Sequence, residues 1–140
     1  MTTNAFNTQG TLIKRGDGAS AEAFTTIGEI KSFNGPSGQA AVLDATHLES
    51  TAREKLMGLP DEGQVTFTMN FIPSNAQQVA LYNDRKNRTR RNFKIVFSDI
   101  GAADMSFSGF VLGFNVVGGV DQLAEATLTV EITGPITLTP

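Results

Sequence analysis

The chain has 140 residues, 40% of them hydrophobic and 18% charged, which is enough for one domain with a sizeable core. A net charge of −3 argues against a protein that coats nucleic acid, the lack of cysteine excludes disulfides, thiolate catalysis and cysteine-ligated zinc, and one histidine excludes a histidine-rich metal site. No apolar run reaches the ~18 residues of a bilayer span, and residues 1–10 are polar and uncharged, unlike a secretory signal, so the expectation is a soluble, mildly acidic protein made in the cytoplasm, with no membrane insertion.

Fourteen glycines and ten phenylalanines, with one tyrosine and no tryptophan, point to a β-rich fold with many turns and a phenylalanine-filled core. Residues 8–14 read as a first short strand carrying Leu12 and Ile13, ended by the turn Gly16-Asp17-Gly18. Residues 24–33 read as a second strand, with Ile27 and Phe33 in one phase and Ile30 in the other. Periodicity then stops. Residues 34–63 hold Gly35, Pro36, Gly38, Gly58, Pro60 and Gly63 among scattered apolar residues, Val42, Leu43, Leu48, Leu56, Met57 and Leu59. A loop of this length is functional or disordered, and six sizeable apolar residues argue against disorder. Such residues dock on something. The run 50–56 tolerates a short helical turn.

Residues 64–71 form the clearest strand, in which Val65, Phe67, Met69 and Phe71 alternate with Gln64, Thr66, Thr68 and Asn70. Pro73 closes it. Ser74 followed by Gln77 resembles a capping box opening a helix that ends near Asn87, with Ala76, Val79, Ala80 and Asn83 on one face, widened by Leu81 and Tyr82. Residues 93–97 make another strand, with Phe93, Ile95 and Phe97 in phase. Residues 105–117 make a long one whose apolar phase changes at Gly109, from Met105 and Phe107 to Phe110, Leu112, Phe114 and Val116, the mark of a β-bulge. Gly118-Gly119 turns the chain into a last strand, 123–133, with Leu128, Val130 and Ile132 opposite Thr127, Thr129 and Glu131. The fold class is therefore mainly β, an antiparallel sandwich or open barrel with one α-helix and a long loop between the second and third strands. One domain spans 1–140, with arms at 1–10 and 134–140.

Asp44, His47 and Glu49 are the nearest approach to a catalytic or metal-binding set, but they lack the spacing and supporting shell of one. There is no G-x-S-x-G elbow, phosphate loop or dinucleotide fingerprint. No enzyme and no cofactor is expected. Arg85, Lys86, Arg88, Arg90, Arg91 and Lys94 form a basic cluster without interleaved aromatics from 85 to 91, which suits a helix C-terminus or a salt-bridging surface better than base stacking. Between Asp17 and Glu62, eight acids face three bases. An acidic loop and a basic helix end on one chain suit head-to-tail self-association.

The phrases IGEIKSF (27–33), LDATHLES (43–50), MGLPDEG (57–63), VTFTMNF (65–71) and FSGFVLGFNV (107–116), in this order, resemble the major tail tube proteins of long, non-contractile phage tails and of related gene transfer agents. The resemblance spans roughly residues 8–133 and lies in the order of the phrases. It implies a structural virion protein of the phage tail, assembled in the host cytoplasm. Subunits would form homohexameric rings, stacked head-to-tail around a β-barrel lumen that holds the tape measure protein and later conducts DNA without binding it specifically. Tail terminator and tail-tip or baseplate proteins would be further partners. The long loop would contact neighbouring subunits and rings through Val42, Leu43, Asp44, His47, Leu48, Glu49, Arg53, Leu56, Met57 and Leu59. A channel for DNA must not grip phosphate, so Thr66, Thr68, Thr127, Thr129 and Glu131 are the lumen candidates, with Arg85, Lys86, Arg88, Arg90 and Arg91 facing away. The alternatives are a tube protein of a contractile tail or type VI secretion system, and a small β-barrel module for an apolar ligand.

Overall fold

The computed structural model describes residues 5–99 and 101–140. Its strands are β1 (Leu12–Gly16), β2 (Phe24–Thr26), β3 (Ile30–Asn34), β4 (Gln39–Asp44), β5 (Lys55–Asp61), β6 (Gln64–Asn70), β7 (Arg90–Val96), β8 (Asp104–Val117) and β9 (Glu125–Thr139), with one helix, α1 (Ala76–Asn87). Seven strands form one antiparallel sheet in the order β2-β1-β7-β8-β9-β6-β3, while β4 and β5 pair only with each other.

The expected second strand is two strands at opposite edges of that sheet. Ile27 N–H donates to Ile13 O, continuing β2 against β1, and two residues later Glu29 O accepts from Asn70 N–H, continuing β3 along β6. Three residues cannot cross a flat seven-stranded sheet at ~4.8 Å per strand. The sheet must be rolled so that its edges approach, as in a sandwich whose corner strand switches layers. Glu29 takes a left-handed φ of 58° at the corner, and the 2%-exposed Ile27 fills the gap.

Alternation builds the core. Val65, Phe67 and Met69 of β6 meet Ala126, Leu128 and Val130 of β9 in direct register, and Phe93 of β7 stacks on Phe107 of β8 with centroids 5.8 Å apart. The phase change in β8 is real but lies beyond Gly109. Phe107, Gly109 and Val111 stay in the buried phase, and the slip falls between Val111 and Gly113, so Phe110 and Leu112 remain outside. Gly109 is a point of close approach: a Cβ there would meet Glu131 O at 2.6 Å.

The helix begins one residue later than the capping-box reading. Asn75 is the N-cap, its Oδ1 accepting from Gln77 N–H and Gln78 N–H at 3.0 and 3.1 Å. Its buried face is also different. Gln78, Leu81 and Asp84 point inward, whereas Val79 and Tyr82 are exposed. The two inward polar residues are satisfied by groups outside the helix, some near in sequence and some, Gly28 and Arg15, far from it, which an apolar pattern cannot register. Gln78 Nε2 donates to Gly28 O and Asn70 O, and its Oε1 accepts from Ile72 N–H, tying the layer crossing to the end of β6.

At the chain ends, the strand expected over 8–14 is shifted to β1, and the expected loose segment 134–140 continues β9 through Thr139 against β8. Gly134 and Pro135 sit where the β8–β9 register shifts, so proline breaks no ladder there. Of the expected N-terminal arm, residues 1–4 lie outside the described residues. Phe6 meets Phe97 edge-on at 6.1 Å, and Asn7 O accepts from Ser98 Oγ at 2.8 Å.

Candidate functional site

Residues 34–63 are not an unpatterned loop. They form a hairpin arm, β4 against β5, with Val42 opposite Met57 on one face and Leu43 opposite Leu56 on the other. The run 50–56 is bend and strand rather than a helical turn. Val42, Leu43, Leu48, Leu56, Met57 and Leu59 are 53% to 105% exposed. A lone two-stranded hairpin is marginal in water, and clustered exposed apolar side chains mark an interaction surface. At its base the arm borders a cleft of about 380 Å³ shared by Ala40, Met57 and Pro60 with Met105 and Ile136 of the main sheet.

The arm's tip is held by its polar residues. Asp44 accepts from Thr46 N–H and from Arg53 Nη1, both at 3.0 Å. Hydrogen bonds from Thr46, side chain first and then backbone, and then from Arg53 hold the Asp44 carboxyl below its usual range. His47 Nδ1 accepts from Glu49 N–H, and its Nε2 lies 3.2 Å from Glu54 Oε2, which also accepts from Ser50 Oγ. Both imidazole nitrogens are thus engaged in turn geometry, and no group among the described residues has the composition of a metal site. Asp44, His47 and Glu49 shape the tip.

A second surface is the outward face of β3, β6, β9 and β8. Thr66 lies opposite Thr129 and Thr68 opposite Thr127, flanked by Asn34 and Ser32 on β3 and by Gly113 and Asn115 on β8. Glu131 extends the same face opposite Gln64. The five candidates from the sequence therefore share one continuous face. β6, β8 and β9 contain no lysine or arginine, and Lys31 on β3 is paired with Glu125. This polar sheet has two open edges among the described residues: β3 pairs only with β6, and β7 stops at Phe110, leaving 112–117 of β8 paired on one side.

The basic cluster is divided. Arg85, Lys86, Arg88 and Arg90 are exposed, with Arg85 over the Tyr82 ring at 5.7 Å. Arg91 is not a surface cation. Its Nε donates to Asp84 Oδ1 at 3.0 Å, while Arg15 grips the same carboxylate through Nε at 2.7 Å and Nη2 at 3.0 Å. Asp84 and Arg15 are 4% and 8% exposed, so the helix end is bolted to β1 and β7 by a buried Arg–Asp–Arg set. Arg90 lies opposite Phe110, which lies opposite Glu131, so it borders the polar face. Sequence reasoning missed Arg15, Gln78 and Asp84. The i, i+3, i+6 spacing of Gln78, Leu81 and Asp84 was the available signal.

A profile of the family described as phage tail tube, TTP, lambda-like, matches residues 4–104. Comparison with curated protein sequences gives no match. Among solved structures, the tail of an empty gene transfer agent particle, refined with helical C6 symmetry, superposes with a TM-score of 0.78 at 20% identity, covering 97% of this chain and 100% of that one. The SPP1 tail tube gives 0.70 at 11% identity over 92% and 76%. A sheath/tube terminator structure of an extracellular contractile injection system gives 0.76 at 10% identity, with both chains fully covered. At these identities the structures share the fold.

Proposed function

The chain belongs to the lambda-like phage tail tube family, and from that premise we propose how its surfaces build and line the tube. It is a structural protein of the virion tail, not an enzyme. In our reading, six copies close into a ring with the outward face of β3, β6, β9 and β8 turned to the lumen, and rings stack through the arm. The C6 symmetry of the similar gene transfer agent tail supports six. The tape measure protein and then DNA would occupy the lumen, and terminator and tip proteins would cap the tube.

The observation that carries this reading is the threonine face with an open edge on either side, on which β6, β8 and β9 bring no cation and Lys31 of β3 is neutralised by Glu125. Each Lys or Arg contact to phosphate adds affinity, so a passage for DNA is best walled by small polar groups. The edges fit as well. β3, β6, β9 and β8 alternate in direction. Under rotational symmetry β3 of one copy therefore meets β8 of the next antiparallel. Closure removes both edges, which would otherwise template aggregation. The lambda-like profile favours a non-contractile tail over the contractile alternative, and a tube subunit over the ligand module.

Thr68→Cys and Thr127→Cys test the lumen assignment in a chain with no cysteine of its own. In assembled tubes these thiols should react with small maleimides and resist maleimides on large polymers, whereas Arg85→Cys should react with both. Equal access for the large reagent at all three positions would reject the assignment.

A further inference from the structure

Two exposed apolar surfaces of this chain cannot meet within one copy. The arm leaves β3 at Asn34 and returns at Gln64, the first residue of β6. The turn between β8 and β9 lies at the other end of that strand, where Asn70 pairs with Glu125 and Glu125 with Val117. Seven residues of strand separate these ends by ~20 Å. The turn carries Val117, Val120 and Leu123 at 53%, 91% and 72% exposure. Beside it is a cleft of about 330 Å³ lined by Val117, Gln122, Leu123 and Glu125.

Within an arm that is acidic overall, one cation has a complement on the turn. Lys55 flanks Leu56 and Met57 on the arm, and Asp121 lies between Val120 and Leu123 on the turn. Both are exposed, and neither has an ion-pair partner among the described residues of its own chain. We propose that the β8–β9 turn is the socket for the arm of a second copy, with Met57 and its cross-strand neighbour Val42 against Val120 and Leu123 and Lys55, two residues from Met57 on the same face, beside Asp121. The contact joins different surfaces at opposite ends of the subunit. It is heterologous and does not close, so it repeats along an axis. The inference rests on the tube reading and adds the receiving surface to it.

Single-cysteine variants test it directly, since the native chain supplies no competing thiol. Met57→Cys and Val120→Cys chains are mixed, assembled and oxidised. A disulfide-linked dimer is expected from the mixture, with loss of that product when either variant is assembled alone. Tubes without the mixed product, or with equal product from one variant alone, overturn the socket and leave the tube reading standing. If wild-type protein gives no tubes even when seeded, the tube reading itself fails and the socket with it. Charge reversal gives a measurement independent of thiols. Lys55→Glu should raise the critical concentration for assembly about fivefold, ~1 kcal/mol, and Asp121→Lys added to it should restore assembly. Failure of the pair to restore assembly counts against the socket.

Discussion

β5 and β6 are neighbouring strands of seven residues, each with three large apolar side chains. In β6, Val65, Phe67 and Met69 are all 0% exposed; in β5, Leu56, Met57 and Leu59 are 61%, 72% and 92% exposed. Spacing accounts for the difference. The β6 residues fall at every second position and share one face, which the chain itself covers. Leu56 and Met57 are adjacent and face opposite ways, so no single layer can cover both. A strand with apolar groups on both faces is built to be covered from two sides, and among the described residues both sides are left largely exposed.

The sharpest way to break that contrast is to damage each strand in turn. Phe67→Ala removes a ring from the centre of the core and should cost about 3–5 kcal/mol, much of the ~5–15 kcal/mol that a domain possesses. Leu59→Ser should change subunit stability by less than about 0.5 kcal/mol yet suppress tube formation. Chemical denaturation of both variants, with electron microscopy beside it, checks the pair. If Leu59→Ser destabilises the subunit as much as Phe67→Ala, the arm belongs to the core and the contrast disappears.

Asp84 sharpens the comparison with a polar residue that belongs to the buried side. Asp84→Ala would leave Arg15 and Arg91 facing each other at the helix end without their shared carboxylate. Removing one member of a buried ionic set costs about 3–5 kcal/mol, and the partial exposure of Arg91 places this case at ~3 kcal/mol. Unfolding should show the loss, and Asp84→Asn should recover only part of it. A loss no larger than that of an exposed pair, ~0.5 kcal/mol, would mean that the set is solvated in solution.

What could be read from the sequence follows the same boundary. Wherever one face is buried by the chain itself, the pattern was clear: β6, the inward residues of β9, and the threonine face opposite them. The arm was invisible as strand because Val42-Leu43 and Leu56-Met57 break alternation and Gly58 and Pro60 look like breakers. The switch from β2 to β3 was invisible because it depends on one left-handed residue, Glu29, inside a plausible strand. The inward helix face was misplaced because Gln78 and Asp84 are polar residues whose burial is offset by partners outside the helix. The β8 slip was placed at the glycine, whereas Gly109 serves the close passage of β9 and the extra residue is Leu112.

The smallest expected effect lies in the arm's tip, where order comes from hydrogen bonds instead of burial. Asp44 is held below its ordinary value of 3.8 by Thr46 and Arg53. In a disordered tip its carboxyl returns to that value. The stabilisation is therefore fully present above pH ~4 and is lost as the pH falls through the lower folded value. Hydrogen exchange at Thr46 N–H and Glu54 N–H should accelerate over that acidic interval relative to the intrinsic rate, while the amides of β6 stay protected. Asp44→Asn should abolish the pH dependence and leave the subunit folded. If the tip amides and those of β6 lose protection together, the tip is not an independent unit, and the division between a self-sufficient sheet and an arm awaiting its partner has to be redrawn.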